Sequence, residues 1–436
     1  MLWRLTIGWF LSLKRGAKAA DCLQGAGVQD MKLRNRHLQL YLLCILSPAA
    51  FLAMPAQADS KFSIAHGKRT TRLPFELIDN RVFVEVRLNG HGPFHFILDT
   101  GAGGFSIDDA VAQKLGLQVE DAGQGTGVGE KTVRVGRAHL AEAQIGDLRF
   151  EELTVGVFPG GDSGNVFGKK PLDGIVGLEV FQHVVVKHDY IRCVLTFTLP
   201  DRFSYSGRGV IVHFDRPRYI PVVDAELDGV PGKFGIDTGA RSALLAFGPF
   251  AEQNQLKEKY DAKLEGVTGW GIGGPVRSLL ARAKELRIGK VVTRDLVIRL
   301  STQQKGLTTS SGMAGLIGPD VLSQFNLTVD YSRSRIILEK NKRYGKRDSY
   351  DRAGMWMGQD GGHFIVVDVI KGGPADDAGI KQGETILSVD GVSTDQLVLP
   401  EVRERMRREA VGRRITLSIM SSGTKHTAVV TLRDLV

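Results

Sequence analysis

One four-residue motif occurs twice in this chain, and this duplication constrains the fold more than any other feature. Asp99-Thr100-Gly101-Ala102 follows the apolar run 94–98, and Asp237-Thr238-Gly239-Ala240 follows the apolar run 234–236. Each run predicts a short strand and each Gly predicts a turn, so each Asp is expected at a strand end. A single Asp-Thr-Gly is more often a polar turn, but two copies favour a pair of reacting carboxylates.

The segments that follow the two motifs are repeated as well. Gly174-Ile175-Val176-Gly177 ends 78 residues after the first Asp (177 − 99), and Gly315-Leu316-Ile317-Gly318 ends 81 residues after the second (318 − 237). Twelve residues beyond each closing Gly stands an Asp-Tyr pair, Asp189-Tyr190 in one half and Asp330-Tyr331 in the other. This shared register indicates an internal duplication.

Together these motifs resemble those of the aspartic proteases over about residues 60–340. Ala as the fourth residue of the motif, at 102 and 240, makes the chain more similar to the retropepsin-like members than to pepsin itself. The resemblance implies a mainly β fold, a bilobal pair of β-barrels in which each lobe lends one catalytic Asp to a shared cleft. It also implies that Thr100 and Thr238 tie the two loops together, and that the backbone can approach the two aspartates closely at Gly101 and Gly239.

The length of 436 residues exceeds one ordinary core and predicts two or three domains. We expect a first lobe at 59–204, a second lobe at 205–341, a charged linker at 342–350 and a third domain at 351–436. The 53 glycines are spread along the chain, which favours many turns and hairpins rather than low complexity.

The first 58 residues predict a leader with a signal peptide. A basic segment at 31–37 precedes an apolar segment at 38–54, and small residues at Ala56 and Ala58 predict cleavage after Ala58. Met31 is a second candidate start. An uncleaved membrane anchor is the alternative, although the apolar segment is short and interrupted by Pro48. We therefore expect a periplasmic or secreted bacterial protein whose mature chain has no membrane span.

Charge and cysteine content exclude some partners. After removal of the leader, 50 of 57 basic and 46 of 48 acidic residues remain, and the net charge falls from +9 to +4. Basic clusters interleaved with aromatics are absent from this sequence, so nucleic acid is not an expected partner. Cys193 is alone in the mature sequence and is expected to be a small buried apolar residue. We expect no cofactor and no metal, and a monomer.

Two Gly-rich segments, 123–130 and 266–274, predict hairpin tips. The resemblance implies that they are flaps that close over a peptide substrate. Trp270 either touches the substrate or packs against the other hairpin. The expected flap residues are Gly125, Thr126, Gly127, Val128, Gly129, Gly269, Trp270, Gly271 and Ile272.

Two other motifs in the first half are weaker. Glu130 separates Gly from Lys where a phosphate-binding loop needs them adjacent, and Gly161-Asp162-Ser163-Gly164 resembles a serine-protease nucleophile loop without the His context that a Ser nucleophile requires. Helices are expected at Ile107–Leu115, with Ser106 in a capping box, and at Ser242–Leu256.

Residues from about 351 to the end resemble a PDZ domain, an α+β fold. The segments 372–380 and 383–391 carry the resemblance. It implies that a peptide C-terminus adds as a strand beside the groove residues, with a helix at 399–410 as the other wall. A PDZ-like domain that only packs on the protease lobes is the alternative. The expected groove residues are Gly354, Met355, Trp356 and Met357.

Paired carboxylates predict the chemistry. At a separation of about 3 Å and an effective dielectric near 20, two carboxylates repel by about 5 kcal/mol, so one keeps its proton. The other can then take a proton from water. We therefore expect an exported aspartic endopeptidase with Asp99 and Asp237 as base and acid, in either assignment. The alternative is a non-catalytic periplasmic peptide-binding or chaperone-like protein that retains the fold.

Overall fold

The computed structural model describes residues 60–159, 166–216 and 219–436. The predicted signal peptide, the two candidate starts and the segment Gly161-Asp162-Ser163-Gly164 lie outside the described residues.

The first lobe consists mainly of strands. Its long strands alternate: in β4, for example, Val84, Val86 and Leu88 are buried while Glu85 and Arg87 are exposed. Its elements are β1 Lys61–Ile64, β2 Thr70–Pro74, β3 Glu76–Ile78, β4 Arg81–Leu88, β5 His91–Leu98, β6 Phe105–Asp108, α1 Asp109–Lys114, β7 Val119–Gly125, β8 Val133–Ile145, β9 Leu148–Phe158, β10 Gly174–Val176, α2 Leu178–Phe181, β11 Val185–Asp189 and β12 Val194–Thr198.

The second lobe repeats this order. Its elements are β13 Val210–His213, β14 Val222–Leu227, β15 Val230–Ile236, β16 Leu244–Ala246, α3 Gly248–Gln253, α4 Leu256–Lys259, β17 Glu265–Gly271, β18 Gly274–Ile288, β19 Val291–Ser301, β20 Gly315–Ile317, α5 Pro319–Leu322, β21 Phe325–Asp330 and β22 Arg335–Lys340.

Each lobe closes into a six-stranded barrel with the same strand order. Lobe 1 runs β4-β5-β10-β6-β9-β8 and returns to β4, and lobe 2 runs β14-β15-β20-β16-β19-β18 and returns to β14. Closure leaves few unpaired edges, which suits a β fold. The predicted mainly β architecture with an internal duplication is confirmed.

The repeated Asp-Tyr pairs lie at the junction between the lobes. A six-stranded sheet of order β2-β12-β11-β21-β22-β13 takes three strands from each lobe, and β11 and β21 meet antiparallel at its centre. Tyr190 and Tyr331, which follow these two strands, are buried. The lobes therefore share one core cluster of buried side chains.

The third domain is α+β, and its core cluster is separate from that of the lobes. Its strands are ordered β23-β24-β25-β27-β28, with β26 beside β25. Its elements are β23 Met355–Asp360, β24 His363–Val369, α6 Pro374–Asp377, β25 Thr385–Val389, β26 Val392–Ser393, α7 Leu399–Arg408, β27 Arg414–Ser421 and β28 Thr424–Thr431.

The two helices expected after the motifs were placed too early. Ser106 lies in β6, and the helix cap is Asp108, whose carboxylate accepts a hydrogen bond from the amide of Ala110 at 2.8 Å. In lobe 2 the expected helix begins instead as β16. In both lobes the chain stays extended because this strand pairs with two neighbours inside the barrel, which overrides local helix signals.

Candidate active site

Each Asp-Thr-Gly-Ala motif begins where a central barrel strand ends. The amide of Asp99 donates to the carbonyl of Val176 at 2.8 Å, and the amide of Asp237 donates to that of Ile317 at 3.0 Å. The repeated Gly-x-x-Gly segments thus hold the two motif loops, which we define as residues 99–102 and 237–240. A Cβ on Gly177 would lie 2.1 Å from the carbonyl oxygen of Ala102, so only Gly fits there.

Thr100 and Thr238 link the two motif loops behind the aspartates. The amide of each Thr donates to the hydroxyl of the other, at 3.0 and 3.1 Å. The hydroxyl of Thr100 donates to the carbonyl of Ile236, and that of Thr238 donates to the carbonyl of Leu98. Both Thr side chains are fully buried. This reciprocal pattern fixes the spacing of the two strand ends.

The two carboxyl groups meet at one backbone amide. The amide of Gly239 donates to Oδ1 of Asp99 at 3.0 Å and to Oδ1 of Asp237 at 2.9 Å. Gly101 adds a hydrogen bond to Asp99 at 2.6 Å, and Ala240 adds one to Asp237 at 2.8 Å. The two carboxyls are close enough for each to shift the pKa of the other.

The glycines of the motif allow this approach. A Cβ on Gly239 would lie 2.3 Å from the carboxyl carbon of Asp99, and one on Gly101 would lie 3.1 Å from Oδ1 of Asp99. A larger residue at position 239 would therefore displace the dyad.

Burial and proximity set the protonation of the pair. Burial raises the pKa of both aspartates above the ordinary range. The pKa of Asp237 is raised well above it, by burial and then by the charge of Asp99. Hydrogen bonds from the amides of Gly101 and Gly239 oppose the rise for Asp99. One proton shared by the pair is the state that this environment favours.

A cavity of about 680 Å³ opens above the dyad. Its volume lies in the range of pockets that bind ligands of several hundred daltons. Most of the expected flap residues line it, namely Thr126, Gly127, Val128, Gly269, Trp270, Gly271 and Ile272. Gly125 and Gly129 are buried beside it.

The tips of the two Gly-rich hairpins are hydrogen bonded to each other. The amide of Gly129 donates to the carbonyl of Ile272, and the amide of Lys131 donates to that of Gly273, both at 3.0 Å. A third bond runs from the amide of Leu307 to the carbonyl of Gly127 at 2.8 Å. We call these three hydrogen bonds the flap clasp. In lobe 2 the tip is shorter than expected, because β17 continues to Gly271.

Each hairpin also packs on the opposite lobe. Val128 of the first hairpin packs on a lobe 2 cluster that includes Ile220 and Leu316. Trp270 of the second hairpin packs on a cluster that includes Phe83 and Ile97 of lobe 1. Trp270 therefore both lines the cavity and contacts lobe 1, and its indole N–H is buried without a hydrogen-bond partner among the described residues.

Two segments of the chain match known families. Residues 84–180 match the family model described as aspartyl protease, and residues 365–419 match that described as PDZ domain. The chain is similar to aspartyl proteases and has a C-terminal PDZ domain. No curated protein sequence matches it. Among solved structures, it resembles the aspartic proteinase from Irpex lacteus, with 13% identity and a TM-score of 0.40, over 63% of this chain and 98% of that one.

The PDZ domain is joined to the second motif loop by a buried charge cluster. The carboxylate of Asp79 pairs with Arg81 at 3.1 Å, Arg241 at 2.5 Å and Arg403 of α7 at 3.5 Å. Burial alone would raise the pKa of Asp79, but the three arginines hold it well below the ordinary range. Arg81 also donates to the carbonyl of Gly239 at 2.8 Å. We call these four residues the Asp79 cluster.

An aromatic side chain completes the contact between the cluster and the PDZ domain. Two guanidinium groups lie over the indole of Trp356, with Cζ of Arg241 at 4.9 Å and Cζ of Arg403 at 4.8 Å from the ring centroid. Such stacking is favourable for Arg and is strengthened by desolvation.

The expected PDZ groove is filled by a segment of lobe 1. Val166 and Phe167 are buried, and the carbonyl of Val166 accepts a hydrogen bond from Arg403 at 2.6 Å. Gly168 lies against Gln359 of β23 and Leu399 of α7, the two walls of the groove. The four expected groove residues, Gly354, Met355, Trp356 and Met357, are all buried.

Asp351 accepts hydrogen bonds from backbone amides near the start of this groove. Its carboxylate accepts hydrogen bonds from the amides of Ala353 and Gly354, at 2.9 and 3.0 Å. Burial raises its pKa to about 6. The segment expected as a linker is also packed, because Asp348 and Tyr350 are buried.

Two features are absent from the described residues. These residues contain no helix both long and apolar enough to cross a membrane. Within the same ranges, no group of three or more His, Cys, Asp or Glu side chains is placed to hold a metal ion.

Sequence reasoning missed the Asp79 cluster. Arg241 directly follows the second motif, where the first has Gly103, and this difference between the repeats was the available signal. Asp79 and Arg403 carry no local signal, because their partners lie far away in sequence.

Proposed function

We propose that this chain is an aspartic endopeptidase that hydrolyses peptide bonds. The observation that carries the proposal is the shared amide of Gly239, which holds the carboxyls of Asp99 and Asp237 together on the floor of the large cavity. Paired carboxyls with raised pKa values in a cleft are a typical arrangement for acid–base hydrolysis.

The proposed mechanism uses the shared proton. The ionised carboxyl takes a proton from a water molecule between the aspartates, while the protonated one hydrogen bonds the scissile carbonyl. Water adds to the carbonyl carbon, and the tetrahedral diol then collapses as the leaving nitrogen is protonated. The two carboxyls titrate as a pair, so either aspartate can hold the proton while the other acts as the base.

Substrate access requires the flap clasp to open. Two of its hydrogen bonds link the two hairpins and the third links the first hairpin to Leu307, so an extended peptide enters only when these contacts separate. Loops that close over a cleft exclude water and align the substrate. After closure, the backbone groups of the hairpin tips are available to hydrogen bond the peptide.

Export and peptide recruitment belong to the same proposal. The basic and apolar segments of the leader support cleavage after Ala58 and a periplasmic or secreted location. The PDZ match supports binding of a peptide C-terminus, which would have to displace residues 166–168 from the groove.

A cleavage assay tests the proposal. The purified protein is incubated with a denatured protein at several pH values, and products are identified by mass spectrometry. Asp99→Asn and Asp237→Asn are each expected to lose at least about a thousandfold in rate, since each removes one partner of the dyad. Asp224→Asn, whose side chain is 84% exposed on β14, is the matched control and should cleave normally.

A second function is supported by the closed flap clasp. A peptide-binding protein without turnover would also need a cavity that opens and closes over an extended chain. Peptide binding without cleavage at any pH, unchanged in Asp99→Asn, would establish this alternative and contradict the endopeptidase.

A further inference from the structure

The cavity has an uneven distribution of charge. The charged side chains that line it, within the described ranges, are the two aspartates of the dyad and four arginines. Two of the arginines belong to the Asp79 cluster and are paired with its carboxylate. The four are Arg81, Arg137, Arg241 and Arg299.

Arg299 differs from the paired arginines. It lies on β19 beside Leu245 of β16 and is only 8% exposed. Its guanidinium has no ion-pair or hydrogen-bond partner in the part of the chain that the structure describes, and its Nε is fully buried. Its Cζ lies 5.8 Å from the ring centroid of Tyr350, so one face of the guanidinium is held by an aromatic ring.

Asp320 attracts Arg299 electrostatically but makes no ion pair with it. A buried cation without a directly paired anion is unfavourable unless a ligand supplies one. Burial lowers the pKa of Arg299 to about 10, so the group still carries its charge at neutral pH. A planar guanidinium offers two parallel N–H donors that match a carboxylate.

Among the described residues, Arg299 borders the large cavity, which can admit such a ligand. Arg299 also borders a second cavity of about 10 Å³, close to Asp320 and Asp348. That volume is about the size of one water molecule and cannot hold a side chain. In the large cavity, Arg299 shares the lining with Leu245, Thr268 and Leu316, which suit the methylene groups of an acidic side chain.

We propose that Arg299 forms a subsite for an acidic side chain, Asp or Glu, of a peptide bound in the cleft. The proposal rests on the proposed function and names its substrate class: peptides with a carboxylate near the scissile bond. Arg137 of β8, whose Nε is also buried without a partner among the described residues, offers a second and more exposed cation on the lobe 1 side.

Matched peptides test this subsite. A parent peptide is chosen from a mapped digest, and each of three positions on either side of the cleaved bond is made Glu, Gln or Leu. At one position, kcat/KM is expected to be about tenfold to a hundredfold higher for Glu than for Gln, the range of a charge-assisted hydrogen bond. Arg299→Gln should remove most of this preference, and Arg299→Lys should keep part of it.

Controls separate the subsite from a general defect. Arg294→Gln alters an arginine of the same strand that is 69% exposed, and it should retain the preference for Glu. Thermal unfolding identifies any variant that fails to fold, and Arg299→Lys then replaces Arg299→Gln. A preference for Glu that survives the loss of Arg299, or no preference at any position, overturns the proposal.

A binding measurement distinguishes failure of the subsite proposal from failure of the proposed endopeptidase function. The same peptides are titrated into Asp99→Asn, which should bind without cleaving. Tighter binding of the Glu peptide, lost when Arg299→Gln is added, supports the subsite even if the protein cleaves nothing. Equal binding of Glu and Gln peptides contradicts it.

Discussion

The two motif loops have the same four residues but different surroundings. Directly after the first loop, Gly103 lies against lobe 2, where an added Cβ would be 3.2 Å from the ring of Tyr219. The second loop is held by Arg81, which donates to the carbonyl of Gly239, and through the Asp79 cluster by α7 of the PDZ domain. The duplicated motifs therefore set the geometry of the dyad. Residues that occur in only one half of the chain determine which motif loop receives additional contacts.

This asymmetry gives the PDZ domain a structural role. Arg403 contacts Asp79, the carbonyl of Val166 and the carbonyl of Met357. The PDZ domain is thus in contact with the cluster that holds the second motif loop. The first loop has no equivalent contact with the PDZ domain among the described residues.

The largest expected effect in this comparison is that of Asp79→Asn. It leaves three buried arginines without their anion, and breaking such a network costs about 3–5 kcal/mol of unfolding free energy. Denaturant unfolding measures the loss. Asp147→Asn in lobe 1, where a carboxylate that is 29% exposed pairs with the half-exposed Lys68, should cost less than about 1 kcal/mol. Equal losses would contradict the bracing of the second loop.

Arg403→Met should have the next largest effect. It removes the PDZ contribution to the cluster but leaves Asp79 paired with two arginines, so we expect a loss of about 2–3 kcal/mol and a lower kcat. Unfolding and cleavage kinetics measure both. Arg408→Gln changes an exposed arginine of the same helix and should stay within about 0.5 kcal/mol of the wild type. A normal kcat in a folded Arg403→Met would show that the PDZ contact does not reach the dyad.

Thr100→Val and Thr238→Val test whether the two loops are equivalent on their buried side. Each substitution removes one donated and one accepted hydrogen bond, and each should cost about 1–2 kcal/mol. Because the contacts are reciprocal, the two losses should be similar, and the double variant should lose less than their sum. A clear difference in unfolding free energy between the two single variants would show that the loops are also unequal at the contact they share.

The pH dependence should show the smallest effect. Activity falls at low pH when both carboxyls are protonated, and falls at high pH when the last shared proton leaves. Since burial raises both pKa values, kcat/KM should be highest above the ordinary Asp pKa of about 3.9. Ala102 and Ala240 have no hydroxyl to stabilise the ionised form of the aspartates, which also favours higher pKa values and a less acidic optimum. An optimum below about pH 3 would contradict this expectation.

The raised pKa values also affect stability. A carboxyl whose pKa is raised on folding stabilises the protein below its unfolded pKa, near 3.9, and this contribution is lost as pH rises through its folded value. Asp237→Asn should therefore weaken the decline of unfolding free energy above about pH 4. Unfolding curves of the wild type and the variant across this range measure the difference.

Much of the architecture could be predicted from the sequence because it is encoded by local repeats. Paired Asp-Thr-Gly-Ala motifs, Gly-x-x-Gly segments and Asp-Tyr pairs each occupy matching places in the two lobes. The Asp79 cluster could not be predicted, because Asp79, Arg241 and Arg403 come together only through tertiary packing. The occupied PDZ groove could not be predicted either. Nothing in the sequence Val166-Phe167-Gly168 indicates that this segment lies between β23 and α7.

A carbon-13 NMR titration of the Asp carboxyl groups measures the shared proton most directly, with Asp99→Asn and Asp237→Asn used to assign the two signals. We predict that one carboxyl of the wild-type pair stays protonated well above pH 4, and that replacing its partner with Asn lowers its pKa. Two carboxyls that ionise independently near the ordinary value of about 3.9, each unaffected by loss of the other, would contradict the account.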